Sequence, residues 1–361
     1  MKSLACFFIV VLMAVVPCFA INISAHSAIL YEPSTKTVLF EKESRERRAI
    51  ASTTKIMTAL VVLENADIDD IVTVPSSCVG IEGTSMYLKE GEKLTVSDLL
   101  YGMLLQSGND AAETLAYFVG NGEIPRFVEM MNETAKRLGL LDTNFKNPSG
   151  LPDEEHYSTA YDMAKLTAFA LENDVFSEIV STKSKTVAGR TLLNHNKLLQ
   201  TYNSATGVKT GYTKVAGRCL VGSAQKDGMR LVAITLSAPD DWNDHKELFD
   251  FGFENFSLYK ENVSDGYAGE VSVAGGESET VSVELAGDVE FLSRKGDKID
   301  KVVYLPRFIY APVSRGDVIG KIEYLKNGEL IEIASLVSSD TVKEDKKPSF
   351  FEALFKIFIR N

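Results

Sequence analysis

Ser52-Thr53-Thr54-Lys55 leads directly into the apolar run Ile56, Met57, Ala59, Leu60, Val61, Val62, Leu63. A small, hydroxyl-rich start followed by such a run predicts a buried helix with Ser52 near its N-cap. Ser52 and Lys55 are then one turn apart on a single face. A serine hydroxyl is a weak nucleophile at neutral pH and needs a base for its proton. Lysine supplies that base only where its ammonium is disfavoured, by burial or by the positive potential of a helix N-terminus. The same potential favours the oxyanion that forms when Ser52 attacks a carbonyl. Ser-x-x-Lys is short, however, and Ser257-Leu258-Tyr259-Lys260 matches it too. A helix cap followed by a surface lysine would give the same four letters.

Two further constellations follow, Ser107-Gly108-Asn109 and Lys209-Thr210-Gly211-Tyr212. The elements around them are legible. Thr95 to Asp98 opens a helix with Leu99, Leu100, Met103, Leu104 and Leu105 on its buried side. A second helix starts at Ala111, so Ser107 and Asn109 fall at a sharp junction, where an ordinary Ser/Gly/Asn turn is the plainer reading. Lys209 lies in an extended segment before Leu220–Ala224 and Arg230–Leu236, two apolar strands joined by Lys226-Asp227-Gly228-Met229. Ala28–Tyr31 and Val38–Phe40 flank a turn as another strand pair. Ile124–Leu138 and Ser158–Leu171 are helical, with the rigid loop Asn147–Pro152 between them. Asp240-Asp241-Trp242 starts a helix that Gly252 is expected to stop.

The ends of the chain carry different signals. Lys2, the apolar run Leu4–Val16 and the small residues before Ala20 mark residues 1–20 as a signal peptide. The mature chain divides into a catalytic domain at 21–258, a β-rich domain at 259–340 with alternating Val and recurrent Gly/Asp turns, and a linker and terminal helix at 341–361. Residues 348–361 wind into a helix with Phe350, Phe351, Leu354, Phe355, Ile357 and Phe358 on one broad side. At about 21 Å that helix is too short to cross a bilayer, and it is expected to lie in a membrane surface, with Lys346, Lys347, Lys356 and Arg360 near anionic headgroups.

A net charge of −12 argues against nucleic-acid binding. Cys78 and Cys219, the cysteines left after export, are expected as buried small hydrophobes, with a bridge between them left open. His26, His156 and His195 lack partners at ligand spacing and are expected as surface or loop residues rather than metal ligands or members of a Ser–His–Asp triad.

Ser52-x-x-Lys55, Ser107-x-Asn109 and Lys209-Thr210-Gly211, in this order and in these settings, resemble the low-molecular-weight penicillin-binding proteins, the serine-type D-alanyl-D-alanine carboxypeptidases. The resemblance covers nearly the whole mature chain. It implies an α/β domain of the serine β-lactamase/DD-peptidase kind, with a central antiparallel sheet between helices, then a small all-β domain and an amphipathic tail. It also implies the substrate, a peptidoglycan stem peptide ending in D-Ala-D-Ala, with β-lactams as inhibitors and no metal or organic cofactor. Ser52 would be acylated, Lys55 would take its proton and Ser107 would relay it to the leaving amine. Asn109 would orient Lys55 and contact the substrate amide, while Lys209 adds positive charge. Thr210, Gly211 and Tyr212 would receive the peptide on an edge strand. The N–H groups of Ser52 and Tyr212 would form the oxyanion hole. The implied location is the outer face of the cytoplasmic membrane, in the periplasm or cell-wall space.

Two rivals stand beside this reading. A serine β-lactamase needs a carboxylate to activate water, for which Glu172-Asn173 is the nearest pair. A non-catalytic peptidoglycan-binding or penicillin-sensing protein would be expected to lack a motif residue, and none is missing. The cation for the substrate's terminal carboxylate is left open between Arg190 and Arg218.

Overall fold

The computed structural model describes residues 21–345. The expected signal peptide at 1–20 and the expected terminal helix at 348–361 lie outside the described residues. A five-stranded antiparallel sheet forms the centre of the first unit, in the order β2 (Thr37–Lys42), β1 (Ser27–Glu32), β5 (Met229–Leu236), β4 (Gly217–Lys226), β3 (Ala205–Thr213). β1 and β5 are buried on both faces, which is why they read as continuous apolar runs rather than alternating ones.

The two faces are covered by different helices. Ile29, Tyr31, Val221, Val232 and Ile234 face a core shared with α1 (Lys55–Asn65), α2 (Val96–Leu105), α3 (Asn109–Val119), α4 (Ile124–Arg137), α5 (Ala160–Ala170) and α6 (Asp174–Ser181). Ala28, Leu30, Leu220, Leu231 and Ala233 face Leu248, Phe249 and Phe253 of the long helix Asp241–Asn255. Gly252 does not stop that helix. It sits inside the last turns because a Cβ there would stand 2.4 Å from Leu231 and 3.0 Å from Leu30. Its role is close helix–sheet packing rather than capping.

Past Asn255 the chain enters strand Phe256–Glu261, which pairs with Val289–Arg294. A six-stranded sheet built from residues 268–338 follows. Its core gathers Val271, Val281, Val283, Phe291, Tyr324 and Leu336, with Tyr259 stacked on Phe291 at 4.6 Å between ring centroids. Buried Glu261 accepts the Tyr259 and Tyr324 hydroxyls and pairs with Lys301. These two units place the first one's helix-covered core around α1 and leave β3 as a free sheet edge beside it.

Candidate active site

Ser52 is carried by a single 3-10 turn, Ala51–Thr54, and α1 begins only at Lys55. The serine is therefore not an N-cap, and its hydroxyl is spared from capping. The turn is braced from below: Thr53 Oγ1 donates to Ile50 O at 2.6 Å and Thr54 Oγ1 to Ala51 O at 2.8 Å. His156, expected as a surface or loop residue, does lie in a loop but is buried, and it reaches Thr54 Oγ1 at 2.8 Å. Its Nδ1 accepts the Lys146 N–H at 3.2 Å, so the proton sits on Nε2 and is donated to Thr54. Burial pushes this histidine down to about 4, so it serves as a neutral brace. The loop 147–158 that carries it shows no periodicity in sequence, which is why its inward fold was not legible.

Lys55 is 0% exposed, and its Nζ meets three acceptors: Ser52 Oγ at 3.0 Å, Asn109 Oδ1 at 2.7 Å and Ser149 O at 2.6 Å. Three acceptors match an ammonium's three protons. A neutral amine fits equally well, donating to Asn109 and Ser149 while its lone pair receives the Ser52 hydroxyl proton. The cage thus accommodates both charge states without rearrangement. Burial, then the Lys209 charge, hold Lys55 well below the usual lysine range, opposed by Glu113 and Asp110.

Asn109 opens α3, with its Nδ2 donating to Glu82 O at 2.6 Å, which fixes the amide so that Oδ1 faces Lys55. Ser107, between α2 and α3, adopts a left-handed φ of 62°. That conformation is unusual for serine and lets the chain reverse between two helices while its hydroxyl turns inward. There Lys209 Nζ donates to Ser107 Oγ at 3.0 Å and to Thr210 O at 2.8 Å. Lys209 is almost fully buried, and burial lowers it to about 7. Asp110 holds the surrounding loop, accepting from Met86 N, Leu88 N and Ser85 Oγ at 2.6–3.0 Å.

Two glycines permit the close approach of these elements. A Cβ on Gly211 of β3 would stand 3.0 Å from Ser52 N, so glycine leaves that amide uncovered. Gly150 has φ +83°, and a Cβ there would fall 2.0 Å from Ala51 O, which brings the Ser149 carbonyl against Lys55. Ser52, Ser107, Thr210, Gly211 and Tyr212 open onto one cleft of about 350 Å³.

A family model described as D-alanyl-D-alanine carboxypeptidase matches residues 13–240. The chain belongs to the D-alanyl-D-alanine carboxypeptidase family. A second model, the C-terminal domain of penicillin-binding protein 5, matches residues 253–344. The D-alanyl-D-alanine carboxypeptidase DacF of Bacillus subtilis (strain 168) is 34% identical over 351 residues, covering 92% of this chain and 88% of that one. The crystal structure of penicillin-binding protein 5 from Haemophilus influenzae superposes with a TM-score of 0.74 at 31% identity, covering 90% of this chain and 99% of the other. The Streptomyces K15 DD-transpeptidase structure, 34% identical with a TM-score of 0.62, covers 64% of this chain and 98% of its own. The chain is thus a serine-type carboxypeptidase of the penicillin-binding protein 5 type, with an α/β domain followed by an all-β one.

In this carboxypeptidase the remaining candidates separate cleanly. Arg218 lines the cleft, its Nε and Nη2 both donating to Asp241 Oδ1 at 3.0 and 2.7 Å. Arg190 instead clamps Glu92 and the carbonyls of Met86 and Tyr87 outside the cleft. Glu172 lines a different recess, with Pro33 and Arg230. Ser257 bonds Ser293 and Lys260 pairs with Glu290, both on a strand of the second unit, so the second Ser-x-x-Lys match is structural. His195 does lie at the surface, on the cleft wall. Cys78 and Cys219 are both buried and free. Glu113, which sequence reasoning passed over, approaches Lys55 from α3; its position one turn after Asn109 was the available signal.

Proposed function

We propose that Ser52 is the acylated residue of a D-Ala-D-Ala carboxypeptidase acting on peptidoglycan stem peptides, and that penicillins acylate it too. The observation that carries this is the Lys55 Nζ 3.0 Å from Ser52 Oγ inside a cage that holds it with or without its extra proton. Neutral Lys55 takes the Ser52 proton as Oγ attacks the carbonyl of the penultimate D-alanine. The N–H groups of Ser52 and Tyr212 receive the oxyanion. Ser107, held by charged Lys209, passes the proton to the departing amine as the C–N bond breaks and D-alanine leaves. Water then attacks the ester carbonyl, giving a proton to Lys55, which hands it to Ser52 Oγ as the acyl C–Oγ bond breaks and the shortened peptide leaves as its carboxylate.

The peptide lies along the open edge of β3 at Thr210–Tyr212, as an added strand. Asn109 orients Lys55 and offers its remaining amide proton to the substrate. Arg218, with Nη1 directed away from the Asp241 pair, receives the terminal carboxylate. Export to the cell-wall side of the membrane and surface anchoring through residues 348–361 complete the reading. Purified mature protein incubated with a peptide ending in D-Ala-D-Ala should release D-alanine, and Ser52→Ala should release none. Equal release from both would refute the assignment.

A further inference from the structure

Two lysines buried beneath the cleft floor demand counter-charge, and two carboxylates of α3, Asp110 and Glu113, act on Lys55. Asp110 is already committed: its oxygens accept three backbone N–H groups, those of Met86, Leu88 and Ala111, and the Ser85 hydroxyl. Glu113, one turn further on and so on the same face as Asn109, is not. Among the described residues its hydrogen-bond partner is the Ser149 hydroxyl, at 3.3 Å. Ser149 is also the residue whose carbonyl receives Lys55 Nζ at 2.6 Å and lies 3.5 Å from Ser52 Oγ. The same Ser149 hydroxyl also lies 3.3 Å from Asn147 Oδ1, so its single proton is shared between Glu113 and Asn147. Asn147 Oδ1 further accepts Ser149 N at 3.3 Å, Gly150 N at 2.7 Å and Leu151 N at 3.1 Å.

We propose that Glu113 is a positioning residue of this site: through Ser149 it fixes the carbonyl that receives Lys55, and it supplies the negative charge that offsets the Lys55–Lys209 pair. The charged and titratable groups facing Lys55 are Lys209 from β3, Asp110 and Glu113 from α3, and His156 from the loop before α5, and the buried thiol of Cys78 faces Glu113 and Asp110 from the turn packed on α3. Burial keeps His156 neutral, and the Asp110 oxygens already hold four donors, so Glu113 is the carboxylate to be tested. Burial holds Glu113 above the usual carboxylate range, and the Ser149 bond and Lys55 oppose that shift without cancelling it. A charge here holds the ammonium of Lys55 longer as pH rises, so it sets where the base becomes available rather than performing a step.

The inference assumes the Ser52 acyl-enzyme for its consequence but not for its direct test. The Lys55 13Cε signal, assigned by its loss in Lys55→Arg, would be titrated in the wild-type protein, Glu113→Gln and Ser149→Ala. In Glu113→Gln the Lys55 midpoint should fall by roughly half to one pH unit, as expected for a single nearby charge. The acid limb of penicillin acylation should move down with it. Ser149→Ala keeps the charge and so should leave the midpoint within about a third of that shift, while slowing acylation at every pH. Glu113→Asp keeps the charge and should restore the midpoint at least in part, and Glu113→Ala removes the charge in place of Glu113→Gln if the latter does not fold. An unmoved Lys55 midpoint in Glu113→Gln, or a uniform rate loss with no shift of the limb, overturns the proposal. A moved midpoint in a protein that penicillin never acylates would count against the acyl-enzyme reading and not against this one.

Discussion

Lys55 and Lys209 are both withdrawn from water, yet the proposed chemistry asks opposite charge states of them. Lys55 must be neutral to accept a proton, and burial plus the neighbouring cation push it that way. Lys209 must be charged to hold Ser107 and attract an anionic substrate, and it loses its proton near 7. Acylation should therefore rise with pH as Lys55 is freed and fall as pH passes about 7 and Lys209 is discharged. Arginine keeps its charge throughout. Lys209→Arg should retain the acid limb and lose the alkaline one, whereas Lys55→Arg should cut acylation by on the order of 10²–10⁴ at every pH. Stopped-flow rates with a fluorescent penicillin would show both. An alkaline limb unchanged in Lys209→Arg would remove Lys209 from that role. Ser52→Ala should carry no adduct by intact mass after penicillin treatment, and an adduct on Ser107 instead would redirect the mechanism.

The elements behave as clamps that hold these groups at fixed separation. The loop carrying Ser149 is let in against the Ser52 turn by Gly150, whose φ and close approach both exclude a side chain. Gly150→Ala should push the Ser149 carbonyl off Lys55 and cost roughly 10²-fold in acylation, the scale of a 1 Å misplacement. Gly252→Ala strikes packing instead, against Leu231 and Leu30, and should lower stability by about 1–3 kcal/mol with the acylation rate of the folded fraction unchanged. If the two variants lost the same property, the division between site and core would be wrong. The helix Asp241–Asn255 is also tied to the sheet by His245, fully buried with Thr235 Oγ1 at 3.1 Å from Nε2 and pushed down to about 3 by burial. The unfolded chain takes up a proton near 6.5 that the fold refuses until about 3. Stability is thus full above the unfolded value and lost as pH falls through that window. At a pH of about 5 this one group should cost on the order of 2 kcal/mol. Urea midpoints at the two ends of the window would show it, and His245→Gln should flatten the slope. A wild-type midpoint independent of pH in that range would contradict the burial argument.

The molecule as a whole sets a catalytic unit beside a β-rich unit with its own core, joined by the direct run from Asn255 into Phe256–Glu261. The cleft lies wholly within the first unit. Removal of residues 348–361, the proposed surface anchor, should therefore leave penicillin acylation unchanged while abolishing co-flotation with anionic vesicles. Equal flotation of both forms would exclude the tail as anchor.

What the chain announced in order along its length was everything that depends on local periodicity and on short spacings. The helix after Ser52, the helix pair around Ser107, the hairpin before Leu236 and the alternating valines of the second unit all bury a face set by neighbours in sequence. The three short motifs were legible for the same reason: two lie at helix starts and the third inside an extended strand, settings that local pattern can find. Contacts between elements were not. That Ser149 caps Lys55, that His156 turns inward to Thr54, that Arg218 and not Arg190 faces the cleft, and that Gly252 packs rather than caps were all fixed by segments far apart in the chain. Such choices depend on which surfaces meet when the core closes. A loop of Pro, Asp and Glu carries no period that would foretell them, so the motif residues could be named from sequence while the group that holds their base in place could not.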